Sequence, residues 1–192
     1  MEIVNKKQKD ILSTARELFW KYGFRRVSIE EICKKAGVSK MTFYKFFPNK
    51  IELAKTIFYR VAHEGAISFK KIMQAEVPTS EKIKGIILMK TEGTNNISKE
   101  FMEDFYLGTE PELKAFVEET TRKIWVEIMN DFKEAQQKGI FRKDFKPELI
   151  FQISSKFIEM LNDENIAQLY DTPQEMILEF ANLITYGISP HQ

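Results

Sequence analysis

A single cysteine in 192 residues, Cys33, excludes an internal disulfide and any site built from clustered thiolates. The two histidines, His63 and His191, lie 128 positions apart, and His63 reads as a surface residue rather than a metal ligand. There is no H-E-x-x-H, no G-x-S-x-G and no glycine-rich phosphate loop. The sequence therefore calls for no catalytic residue, metal or cofactor, and an enzyme is not expected. No apolar run approaches the ~20 residues of a membrane span. The opening MEIVNKKQKD has no apolar signal-peptide core, so a cytoplasmic protein without a membrane partner is expected. Sustained strand alternation, repeats and low-complexity segments are all missing, which leaves an all-α fold of about nine helices.

One further absence is local. From Ile32 to Ile51 there is no Asp or Glu, while Lys34, Lys35, Lys40, Lys45 and Lys50 all fall there. Ser28 followed by Glu31 is a capping box that opens a helix. Ile29, Ile32, Cys33 and Ala36 then form one apolar stripe, where Cys33 is expected as a buried, inert thiol. Gly37 supplies the left-handed residue that ends this helix. Ser39 caps the next helix, Lys40 to Phe46, with Val38 and Phe43 placed for a hydrophobic staple. Helix, glycine turn, helix is the helix-turn-helix pattern. Lys40 and Lys50 each open a helix, where the macrodipole disfavours a cation unless an anion is to be met.

These residues carry a resemblance. AGVSKMTFYKFFPNKIEL resembles the DNA-binding signature of the tetracycline-repressor (TetR) family of bacterial transcription regulators, and ILSTARELFWKYGFRRVSIEEICKKAGVS resembles that family's first two helices. The likeness spans roughly residues 7 to 58. It implies a helix-turn-helix domain over residues 1–48 and a helical ligand-binding and dimerisation domain over 49–192, with the fourth helix connecting them. Ser28, Ser39, Lys40, Met41, Thr42, Tyr44, Lys45 and Lys50 are the expected DNA-binding residues. Lys40, Met41, Thr42 and Lys45 are assigned to base edges, and Tyr44 and Lys50 to phosphates. Many family members carry Gly, Ala or Pro where Met41 stands, a departure that bears on base preference.

Charge agrees with such a division. Residues 1–60 hold 14 basic against 6 acidic residues, and residues 61–192 hold 15 against 22. Further helices are expected from Lys6 to Tyr22, from the Asn49–Glu52 cap pair to Met73, from Glu81 (capped by Ser80) to Gly93, and from Ser98 to Gly108. Three more should run from Pro111 to Gly139, from Pro147 to Leu169 and from Gln174 to Tyr186. The resemblance assigns the last pair to a homodimer interface, for which Ile153, Phe157, Ile158, Leu161, Ile177, Phe180, Ala181 and Ile184 are the candidates. A dimer also follows from the few bases that one short recognition helix can read.

In the family, helices four to seven enclose a ligand pocket. Phe69, Met73, Met89, Met102, Phe105, Tyr106, Trp125 and Met129 are candidate walls for a largely apolar small-molecule effector, though each also suits plain core. The implied partners are therefore double-stranded DNA bearing an inverted-repeat operator, the effector and a second copy of the chain. A dimeric repressor released from its operator by ligand is the expected function. A regulator working by ligand activation or through a partner, and a small-molecule-binding helical protein with a weakened DNA head, are the alternatives.

Overall fold

Residues 5–108, 110–161 and 163–190 are described in the computed structural model of the protein. Among them there are ten α-helices, one π-helical turn and no strand. The helices are α1 (Lys6–Tyr22), α2 (Ile29–Ala36), α3 (Lys40–Phe46), α4 (Lys50–Gln74) and α5 (Thr79–Gly93). There follow α6 (Lys99–Met102), the π turn (Glu103–Leu107), α7 (Pro111–Gln137), α8 (Pro147–Met160), α9 (Glu164–Ala167) and α10 (Pro173–Gly187). No helix among the described residues is long and apolar enough to cross a membrane.

The chain divides into two compact units. The first joins Met1–Arg60 to Asn96–Glu118, and the second joins Val61–Asn95 to Glu119–Gln192. In the first, α1 contributes the fully buried Ile11, Ala15 and Phe19, spaced four residues apart on one helical face. Phe19 meets Phe24 and Phe105 at ring distances of 5.6 and 6.3 Å. Phe105 in turn stacks on Phe101 at 4.4 Å and Phe58 at 6.1 Å. These edge and offset contacts stabilise the unit beyond their buried area, by roughly 0.5–1.5 kcal/mol per pair. Ser98 N–H donates to the Trp20 carbonyl at 2.9 Å, so the segment ahead of α6 is also fastened to the end of α1.

The second unit has its own core of Phe69, Met73, Ile83, Ile86, Phe132, Ala135, Ile140, Phe141, Ile150 and Ile188. A charged group completes it. Lys82 is 6% exposed, and its ammonium donates to the carbonyls of Met73 at 2.7 Å and Ile72 at 3.3 Å, with Ala75 as a third acceptor. The last carbonyls of α4 have no partner within the helix, and a cation there also suits the negative end of the macrodipole.

Helix boundaries differ from expectation at three main places, the first being the helix expected from Ser98 to Gly108, which is the short α6 followed by the π turn. Pro78, not Ser80, precedes the first residue of α5, because Pro tolerates the missing N–H at a helix start and Ser80 is already inside the helix. The helix opened by Pro147 stops at Met160 instead of continuing to Leu169. Asp163 accepts a hydrogen bond from Asn165 N–H at 2.9 Å and caps the separate short α9, so a local side-chain bond replaces helix continuation.

Candidate nucleic-acid interface

The two helices of the motif are fixed by local bonds. Ser28 Oγ accepts from Glu31 N–H at 3.1 Å, and Ser39 Oγ accepts from Thr42 N–H at 3.1 Å. Gly37, at φ 66° and ψ 34°, ends α2 in the left-handed region. Its N–H donates to the Lys34 carbonyl at 3.4 Å and that of Val38 to the Cys33 carbonyl at 3.0 Å, the paired bonds of a Schellman turn. Ile32 and Phe43, both fully buried, hold the core side of the motif. Burial pushes the Cys33 thiol up, which keeps it protonated and unreactive.

What faces outward from α3 is a mixed set. Met41 is 87% exposed, Tyr44 is 53% exposed with its ring edge-on to Phe43, and Lys45 is exposed. Thr42 is half-buried, and its hydroxyl lies 3.0 Å from Ser39 Oγ. Ser28 and Ser39 are exposed as well as capping. A Met standing out in solvent costs apolar exposure and contributes nothing to the core, which suits a surface meant to be covered.

The lysines fare unequally. Lys40 forms an ion pair with Glu30 of α2, and that bond holds the Glu30 carboxyl below and the Lys40 ammonium above their ordinary ranges. Lys35 pairs with Glu17 of α1 at 2.7 Å. Lys34 and Lys45 make no ion pair among the described residues. Lys50, expected at a phosphate, points inward instead. Its ammonium donates to the carbonyls of Phe24 and Val27 at 2.8 Å each and of Arg25 at 3.3 Å, and lies 4.3 Å from the centre of the Phe24 ring. Burial lowers its pKa, partly offset by the charges of Asp104 and Glu110.

The same loop is gripped from a second direction. Asp104 of the π turn, 4% exposed, accepts from Arg25 N–H at 2.8 Å and also from the Arg25 guanidinium. Gly23 has φ 79°, and a Cβ there would lie 2.6 Å from Asp104 Oδ2, so the approach needs glycine. Loop 23–27 thus has its carbonyls held by α4 and an N–H held by the π turn. Arg25, Asp104 and Glu30 have no distinguishing mark in the sequence, since each partner is at least ten positions away.

The eight expected pocket residues are drawn from both units. Phe69, Met73, Met89, Trp125 and Met129 belong to the second unit, in or against its core. Met102, Phe105 and Tyr106 belong to the first, and Phe105 is fully buried among phenylalanines. Tyr106 is half-buried with its ring 5.9 Å from Phe58, and burial pushes its phenol up to about 12. An acid raised on folding ionises first in the unfolded chain, so stability should be level below pH 10 and fall as pH rises from 10 towards 12. Tyr106→Phe should remove that part of the alkaline loss, as read by thermal unfolding at stepped pH; an unchanged profile would place the loss on other groups.

Of the expected dimer residues, Phe157, Leu161 and Ala181 are buried, and Ile158, Ile177, Phe180 and Ile184 are half-buried. Ile153 is 37% exposed. Phe157 and Phe180 stack at 4.0 Å and join α8 to α10. Outside that joint, Leu149 and Met160 of α8 and Leu183 and Tyr186 of α10 are exposed.

Residues 11–57 match the family described as bacterial regulatory proteins, tetR family, a span that contains the capped helices and the turn described above. Over those residues the chain carries the TetR-family helix-turn-helix region. Relatives agree. It is 27% identical over 144 residues to the uncharacterised HTH-type transcriptional regulator YhgD of Bacillus subtilis, covering 73% of each chain. It is 20% identical over 156 residues to the HTH-type transcriptional repressor KstR2 of Mycobacterium tuberculosis, covering 78% of this chain and 76% of that one. Among solved structures, the regulator FadR of Bacillus subtilis in complex with stearoyl-CoA superposes with a TM-score of 0.64 at 18% identity, over 94% of this chain and 98% of that one. The family and these relatives are transcriptional regulators, not enzymes.

Proposed function

We propose that this regulator is a cytoplasmic homodimeric repressor that reads an inverted-repeat operator and is released by a small, largely apolar effector. The observation that carries the reading is the outer face of α3, where Met41 stands 87% exposed beside Lys40, Tyr44 and Lys45. A helix in the major groove reads with its N-terminal residues, and a Met side chain offers apolar contact to a thymine methyl. In this reading residues 1–48 carry DNA recognition and 49–192 carry effector binding and dimerisation.

The second unit supports an apolar effector. Met73, Met89, Trp125 and Met129 supply adaptable and aromatic surface. A regulator of similar fold holds stearoyl-CoA, whose acyl chain is apolar. Release follows by linkage. An effector that binds better to a conformation with more widely spaced recognition helices shifts the population off DNA by no more than its differential affinity. The residues of α4 divide between the two units at Arg60, so this helix is the natural carrier of the change.

The test is selection of binding sites from random duplex DNA at physiological salt. An inverted repeat should be enriched, with half-sites about one turn, or ~34 Å, or one and a half turns apart. Sequence-indifferent binding, or none, would end the reading. Met41→Gly should shift preference at one or two half-site positions, each worth about 1–3 kcal/mol. Uniform weakening on all sequences would instead make Met41 structural.

A further inference from the structure

Between Ile32 and Ile51 the sequence holds five lysines and no acid, yet Lys40 has a carboxylate partner just outside that span. Glu30 is the second residue of α2 and Lys40 the first of α3, so their ion pair spans the glycine turn of the motif. The placement is electrostatically consistent. A carboxylate in the first turn of α2 suits the positive end of that helix, whereas an ammonium at the start of α3 does not suit its own. Glu30 supplies the anion that the dipole argument requires at Lys40.

Both side chains are more than half exposed, at 62% for Glu30 and 56% for Lys40. An exposed pair of this kind contributes little to stability. Lys40 directly precedes the exposed Met41 in α3, and a negative charge beside it opposes approach to phosphate.

We propose that Glu30 is a positioning residue for sequence discrimination: it tethers the Lys40 ammonium so that the lysine reads a base edge instead of neutralising a phosphate. This rests on the assignment of α3 to DNA reading. An ammonium has three N–H donors. With one held by Glu30, two remain for the O6 and N7 acceptors of a guanine. A phosphate offers the same ammonium a contact without sequence information, and it must approach the Glu30 carboxylate to do so. The pair therefore lowers sequence-independent affinity more than operator affinity.

The experiment compares the full-length wild type with Glu30→Gln, Lys40→Ala and the double variant, on the selected operator and on a scrambled duplex, between about 50 and 200 mM salt. Glu30→Gln should tighten binding to scrambled DNA roughly threefold to tenfold and steepen the log–log salt slope by about 0.9 for each protomer engaged. Preference for guanine at one half-site position should weaken. In the Lys40→Ala background the same substitution should change neither slope nor preference, because Glu30 acts through Lys40. Unchanged scrambled-DNA affinity on Glu30→Gln, or an equal gain in the Lys40→Ala background, would overturn the proposal while leaving operator reading in place. A wild type without operator preference would overturn both.

Discussion

Lys50→Ala should lower the stability of the N-terminal unit without changing the salt slope of DNA binding. The Lys50 ammonium is the hydrogen-bond partner of three carbonyls of loop 23–27, those of Phe24, Arg25 and Val27. It also sits over the Phe24 ring. A hydrogen bond from a charged donor is worth roughly 1.5–3 kcal/mol net, and part of that returns when freed carbonyls reach water. A loss of about 2–4 kcal/mol is expected, or about 5–15 °C in Tm at this chain length. Lys50→Met should lose nearly as much, since it keeps the stem and removes only the donors. The measurement is thermal unfolding beside a salt titration of operator binding at a temperature where the variant is folded. A slope smaller by about one unit with Tm unchanged would instead return Lys50 to the phosphate contacts.

Leu183→Asp should yield a monomer and reduce operator affinity on the order of 100-fold or more, because two half-sites are then no longer held by one linked pair of readers. Leu183 is 67% exposed and Tyr186 62%, three positions apart on one face of α10. On α8, Leu149, Ile153 and Met160 follow one outward stripe by their spacing. The Phe157–Phe180 stack lies between these helices and fixes them to each other, so the exposed side chains are presented on a firm base. Sedimentation of the wild type should give twice the 22.6 kDa chain mass, and the variant that mass once. An intact dimer would direct the interface search to a different face; a monomeric wild type would remove the dimer from the proposed function.

How much of this was legible depended on the reach of each interaction. The bounds of α3, Lys40–Phe46, and the caps at Ser28 and Ser39 follow from bonds between residues three positions apart, and the sequence displays them directly. The Gly37 turn is of the same kind. Lys50 looked like Lys40 in the sequence, a cation opening a helix, and the two diverge only through partners 23 to 26 positions away in one case and 10 in the other. Asp104 and Arg25 are 79 positions apart, and no periodicity relates them. The π turn, too, has no composition of its own. The division of the pocket candidates had the same origin, because Met102 and Phe105 show apolar character in the sequence but not which core they enter.

The attachment of residues 96–118 to residues 1–60 has a consequence for the order of events during synthesis. As the chain leaves the ribosome, α1 to α3 emerge with Trp20, Phe19 and Phe24 lacking Phe101 and Phe105, and with the Arg25 loop lacking Asp104. At roughly 5–20 residues per second the missing segment follows several seconds later. Helices α1 to α3 therefore reach their final setting only after α5 and α6 have been made, and a nascent chain cut short before the π turn would carry the whole helix-turn-helix motif without the packing that steadies it.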